Sequence, residues 1–115
     1  MPGGGLFSTA SDVAKFCQMV LRGGTVNGKQ LLSPGAIAEM SKRQTPESVK
    51  ENYGLGWAIT GETFGHGGAM ATNMTIDPKL GLITVFLVQH SGFPGNGKES
   101  GSAFRQAAID TFGKR

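Results

Sequence analysis

Apolar residues fall into two rhythms along the chain. In the first half Val13, Phe16, Cys17, Val20 and Leu21 recur at helical spacing and form one stripe, the mark of an amphipathic helix. Ser8, Thr9 and Ser11 stand before it as N-cap candidates, and Thr9-x-x-Asp12 resembles a capping box. Gly23-Gly24 offers the left-handed backbone that ends it. Asn27-Gly28 predicts a tight turn in a short hairpin, with Val26 before it and Leu31-Leu32 after. Ser33-Pro34 sets a cap and a proline at the start of a second helix, whose inward residues are Ile37 and Met40. Residues 42–52 are polar, carry Pro46 and predict a surface loop.

From Tyr53 the rhythm changes to strands. Tyr53 to Thr60 predicts one, with Leu55, Trp57 and Ile59 alternating on one face. Residues 63–68 interrupt the apolar pattern, and Thr72 to Ile76 predicts another strand. Asp77-Pro78-Lys79-Leu80-Gly81 is a turn, and Leu82 to Val88 is almost wholly apolar, as a central strand buried on both faces is. A Gly/Pro/Asn loop over 91–98 leads to a last helix that carries Phe104, Ala107, Ala108 and Phe112 and stops at Gly113. Trp57, Phe86 and Phe104 are expected in the core. Two helices, an antiparallel sheet and one helix make an α+β fold. Residues 1–115, with no repeat or linker, are expected to form a single domain.

Composition narrows the function classes. Glycine is 19 of 115 residues without a collagen period or a low-complexity tract, so the glycines belong to a loop-rich globular fold. A net charge of +3 is mild, and Lys and Arg are scattered, with only Lys42-Arg43 and Lys114-Arg115 adjacent. That scatter is a solvated surface and argues against nucleic-acid binding. The single Cys17 excludes an internal disulfide and lies on the apolar helical face, where it reads as a buried thiol. No apolar run is long enough to span a membrane, and no export signal is visible.

The chemistry-bearing stretch is Phe64-Gly65-His66-Gly67-Gly68-Ala69. Glycine weakens a strand and marks a bulge or the close approach of a ligand or another backbone. Alone, the stretch reads as a turn with a surface histidine. Three rival motifs fail. Gly92 to Lys98 fits the Gly-x-x-x-x-Gly-Lys core of a phosphate-binding loop, but Glu99 replaces the Ser or Thr that would hold magnesium. No Gly-x-Ser-x-Gly elbow accompanies the His-Gly-Gly, as an α/β-hydrolase needs. His66, His90 and Cys17 lack the paired spacing and fourth ligand of a zinc site, so no metal or other cofactor is expected. Asn73-Met74-Thr75 matches a glycosylation acceptor but falls within an expected strand.

Five ordered stretches carry a resemblance: residues 4–16, Leu31-Leu32-Ser33-Pro34, Tyr53-Gly54-Leu55-Gly56-Trp57, Phe64 to Gly68, and Asp77-Pro78. Together they resemble the C-terminal part of the class C beta-lactamase, penicillin-binding protein and esterase family of serine hydrolases. The resemblance implies a transpeptidase-like fold and acyl-enzyme hydrolysis of a small ester, amide or β-lactam. The family uses Ser-x-x-Lys, Tyr-x-Asn and a Lys-Thr-Gly or His-x-Gly strand motif. Only the third is present, as His66-Gly67-Gly68; no serine has Lys three residues on, and Tyr53 is not followed by x-Asn. The resemblance therefore places no catalytic residue in this chain and puts the nucleophile N-terminal to it. It assigns His66, Gly67, Gly68 and Ala69 to the substrate groove, with the Ala69 N–H in the oxyanion hole. His66 stands where the β-lactamases have lysine and favours an esterase or peptidase parent, because a histidine is neutral for much of the physiological range. It also implies a neighbouring strand beside 82–88, so an exposed edge there predicts a homo-oligomer. Family members are often periplasmic or secreted; the compartment of this protein stays open. The alternative reading is a standalone domain that binds or self-associates without catalysis.

Overall fold

The computed structural model describes residues 4–92 and 95–113, apart from the side chain of Asn96. Helix α1 (Ala10–Leu21) is followed by the hairpin β1 (Thr25–Val26) and β2 (Lys29–Gln30), then by α2 (Pro34–Ser41). Strands β3 (Ala58–Thr60), β4 (Thr63–Gly67), β5 (Asn73–Asp77) and β6 (Leu82–Phe86) precede α3 (Ser100–Phe112). The four later strands form one antiparallel sheet in the order β3-β4-β5-β6. Mixed helices and an antiparallel sheet match the α+β expectation.

Local chemistry sets the helix starts. Of the three N-cap candidates Thr9 is used: its hydroxyl accepts from the Asp12 N–H at 3.2 Å and donates to the Asp12 carboxylate at 3.1 Å. Ser33 caps α2 by accepting from the Ala36 N–H at 3.1 Å, with Pro34 in the first turn. Asn27 (φ 49°) and Gly28 (φ 76°) both adopt the left-handed backbone that a two-residue hairpin turn of this kind requires.

Register sorts the sheet into two unlike faces. Ile59, Phe64, Ile76 and Ile83 lie opposite one another, and His66, Met74 and Val85 continue that face. It meets α1, where Cys17 lies 3.8 Å from the Met74 sulfur. Cys17, Met19, Val20, Ile37, Trp57, Phe64 and Ile76 form the buried core between them. The other face, toward α3, mixes small and polar side chains with one phenylalanine: Ala58, Gly65, Thr75 and Thr84 in one row, Gly67, Asn73 and Phe86 in the next.

Four expectations are corrected. The strand expected from Tyr53 shrinks to Ala58–Thr60, because Gly54 donates to the Trp57 carbonyl at 2.8 Å, Gly56 takes φ 85° and Tyr53 bridges back to Ala58. Leu55 is thereby turned outward at 52% exposure, while Trp57 is buried. The strand expected over 82–88 ends at Phe86 and is terminal in the four-stranded sheet, with only Thr84 buried. Phe16 and Phe104 are exposed above 40%, although Phe16 stacks on Trp57 and Phe104 packs at a tilt against Phe86. The loop expected over 91–98 includes Phe93 and Pro94, outside the described residues; Ser91 and Gly92 are bends, and its last residues close into a 3₁₀ turn, Gly95–Glu99.

Candidate functional site

The site is the end of β4 and the turn that follows. Gly65 is buried and its place is dictated from within: a Cβ there would lie 2.0 Å from the Met74 carbonyl oxygen on β5. Gly67 differs. A Cβ on it would meet nothing nearer than 3.5 Å, so the chain's own packing does not demand a glycine. His66, Gly67, Gly68 and Ala69 are all exposed.

Strand β3 pairs with β4 only as far as Ala58 opposite Gly65, whereas β5 continues to Asn73 opposite Gly67. One edge of β4 is therefore bare from His66 onward. The direction of the amides follows from the ladder. Gly68 N–H donates to the Thr72 carbonyl on the β5 side at 2.9 Å. Successive residues of an antiparallel strand address opposite neighbours, so Gly67 N–H points to the bare side. Ala69 N–H has no acceptor among the described residues. Ala71 holds φ 61°, a left-handed conformation that costs a residue with a Cβ about 1–2 kcal/mol, and its N–H closes the turn on Gly68 O at 3.1 Å. The turn is thus strained and locked, with its outer amides left open.

The His66 ring is set from two directions. Its Nδ1 is hydrogen-bonded to the Gly67 carbonyl. A carbonyl only accepts, so Nδ1 carries a proton, and in the neutral ring Nε2 keeps its lone pair. The ring also meets Tyr53 edge-on, with centroids 5.7 Å apart. Tyr53 is itself anchored by its main chain: its carbonyl accepts from Gln44 N–H at 2.8 Å and its N–H donates to the Thr45 hydroxyl at 3.3 Å. Arg43 holds that loop by donating to the carbonyls of Thr45, Pro46 and Val49. The sequence pattern did not single out Tyr53 as a neighbour of His66. The pair is brought together by the turn at Gly54 and Gly56, which no periodicity signals.

His90 is exposed, and its N–H donates to the Met70 carbonyl at 3.2 Å, which ties the stretch after β6 to the motif turn. Among the described residues no group of three or more His, Cys, Asp or Glu is placed to hold a metal ion.

A model of the Beta-lactamase family matches residues 1–108. The chain belongs to the beta-lactamase family. Among this family chain's relatives, an uncharacterized protein of Mycobacterium tuberculosis is 32% identical over 114 residues, covering 76% of this chain and 28% of that one. A Salmonella agona protein provisionally named D-alanyl-D-alanine carboxypeptidase is 31% identical over 97 residues, covering 72% of this chain and 22% of that one. The crystal structure of a family VIII carboxylesterase has the same fold, with a TM-score of 0.67 over 85% of this chain and 30% of that one, at 22% identity. This beta-lactamase-family chain thus spans under a third of the length of these relatives.

Proposed function

We propose that this chain is the substrate-binding, C-terminal part of a serine hydrolase of the beta-lactamase family. The bare edge of β4 carries the reading. An extended acyl substrate laid along His66 and Gly67 would pair with the strand as an added neighbour. Gly67 leaves room for it, and its N–H faces that side. The open Ala69 N–H is a fixed donor of the kind that stabilises the oxyanion of acyl transfer. With Nδ1 turned to the Gly67 carbonyl, the His66 Nε2 is the ring nitrogen left to hydrogen-bond a substrate or a neighbouring hydroxyl. The nucleophile and its base lie outside this chain, since no Ser-x-x-Lys or Tyr-x-Asn occurs in it. The substrate is a small ester, amide or β-lactam.

The purified chain is expected to turn over neither p-nitrophenyl esters nor a chromogenic β-lactam above the buffer rate. Addition of an N-terminal portion that carries Ser-x-x-Lys is expected to restore hydrolysis. Ala69→Pro, which deletes the open donor, should then cost about 100- to 1,000-fold in kcat. Saturable hydrolysis by the chain alone would overturn the reading, as would a complemented Ala69→Pro variant with full kcat.

A second reading rests on β6. It is the last strand of the described sheet, and Leu87 just beyond it is 37% exposed. An unpaired strand edge invites another chain, so the same protein would self-associate through β6. Light scattering at rising concentration separates the readings: a constant monomer mass rules out the second.

A further inference from the structure

The α3 side of the sheet holds two cavities, and one residue reaches both. Arg105 lines a cavity of about 170 Å³ with Thr60, Thr63 and Thr75 in its wall. It also lines a second of about 400 Å³, with Lys98, Thr72, Asn73, Thr75 and Ser102. Arg105 is half-buried, yet it has no ion pair and no hydrogen bond among the described residues. Lys98 likewise makes no salt bridge among them. Neither cavity is lined by an aspartate or a glutamate. A guanidinium withdrawn from water costs free energy unless an anion or a set of acceptors meets it. Here neither is supplied from within.

The walls decide what would meet it. Threonine hydroxyls and the Asn73 amide share the walls with Phe86 and Ala71, so groups able to hydrogen-bond an anion stand beside Arg105. The Thr75 hydroxyl already donates to Asn73 Oδ1 at 3.1 Å, which turns that oxygen away and leaves the amide nitrogen to donate. Ser102 donates to the Glu99 carbonyl at 2.8 Å, so its hydroxyl oxygen keeps lone pairs for weaker contacts only. The rejected phosphate-loop stretch explains Lys98: the 3₁₀ turn Gly95–Glu99 carries it to the cavity edge, while Glu99 is absent from the lining. The described part of that stretch, Gly95–Glu99, is a 3₁₀ turn at a helix start, and the strands before it are antiparallel.

We propose that this cleft is an anion site for a carboxylate, gripped by the planar fork of Arg105 and assisted by Lys98 and Asn73. The fork matches a carboxylate with two parallel hydrogen bonds. The cavities lie on the α3 face of the sheet, opposite the His66 ring, although Gly65, His66 and Gly67 also stand in the wall of the smaller one; anion binding there needs no nucleophile, so it is tested without hydrolysis. The carboxylate has two possible sources, a free small molecule or an acidic side chain of a second copy.

Titration of the 115-residue chain with sodium acetate, followed by amide and Arg Nε–H resonances, tests it. A saturable shift at Arg105 and Thr75 is expected, at least tenfold weaker in Arg105→Gln and several-fold weaker in Lys98→Gln. A mass that doubles with concentration and reverts in Arg105→Gln would support the site and assign the carboxylate to a second copy. A linear response that sodium chloride reproduces at equal ionic strength would overturn the proposal. So would saturation unchanged in both variants. A well-dispersed spectrum of Lys98→Gln keeps the test valid should Arg105→Gln unfold.

Discussion

Two glycines two positions apart, Gly65 and Gly67, occupy one strand for different reasons. Gly65 answers to the neighbouring strand, because a methyl there would strike the Met74 carbonyl at 2.0 Å. Gly65→Ala is expected to lower unfolding stability by about 2–3 kcal/mol, the usual cost of an overpacked interior, read as a fall in the urea midpoint. Gly67→Ala meets nothing closer than 3.5 Å and should leave the midpoint within about 0.5 kcal/mol of wild type. If the bare edge binds a substrate backbone, the same Gly67→Ala change should still raise KM several-fold in a complemented enzyme. Equal destabilisation by both substitutions would mean that β4 is packed differently from the geometry described. The sequence marked the whole glycine cluster as exceptional. It could not divide the cluster, because the two positions differ only in what the register with β5 places across from them.

At the scale of elements, caps and turns were the most legible parts of the chain. Thr9, Ser33, Asn27-Gly28 and Gly23-Gly24 act within a few residues of themselves, so their spacing suffices to assign them. Thr9→Ala should destabilise α1 by about 1 kcal/mol, measurable by urea unfolding. Acid should act at the same places. The Asp12 carboxyl is held below its ordinary range by hydrogen bonds from Lys15 and Thr9, and that of Glu39 by Lys42 and Gln44. A carboxyl whose pKa is lowered by folding stabilises the fold above the ordinary carboxylate range of about 4. That contribution is lost as the pH falls through the lowered values. Urea midpoints should therefore decline from pH 5 toward pH 3 (about the carboxylate range), and Asp12→Asn should flatten the decline slightly. Strands were less legible. The alternation of Leu55, Trp57 and Ile59 imitated a strand that two glycines break, and the apolar run from Leu82 imitated a central strand although β6 ends the described sheet.

For the molecule as a whole, the fold class and family were readable because five stretches keep their order, and order survives when single matches are weak. The site was readable only as a strip of main chain. The Tyr53 ring beside His66 comes from an element distant in sequence, and no local pattern marks it. The core joins α1 to the sheet at one point of unusual depth: Cys17 has no exposed surface, and burial pushes its thiol pKa up. Thiol reagents should therefore modify Cys17 only as fast as α1 lifts away, with rates that rise steeply under denaturant; immediate labelling of the native chain would contradict this packing. The single tryptophan offers the optical counterpart. Trp57 is sandwiched between Phe16, at 5.9 Å on α1, and Phe64, at 5.4 Å on the sheet. Its fluorescence thus watches one seam: a blue-shifted, iodide-resistant emission reports helix and sheet in register, and a red shift times their separation without any added label.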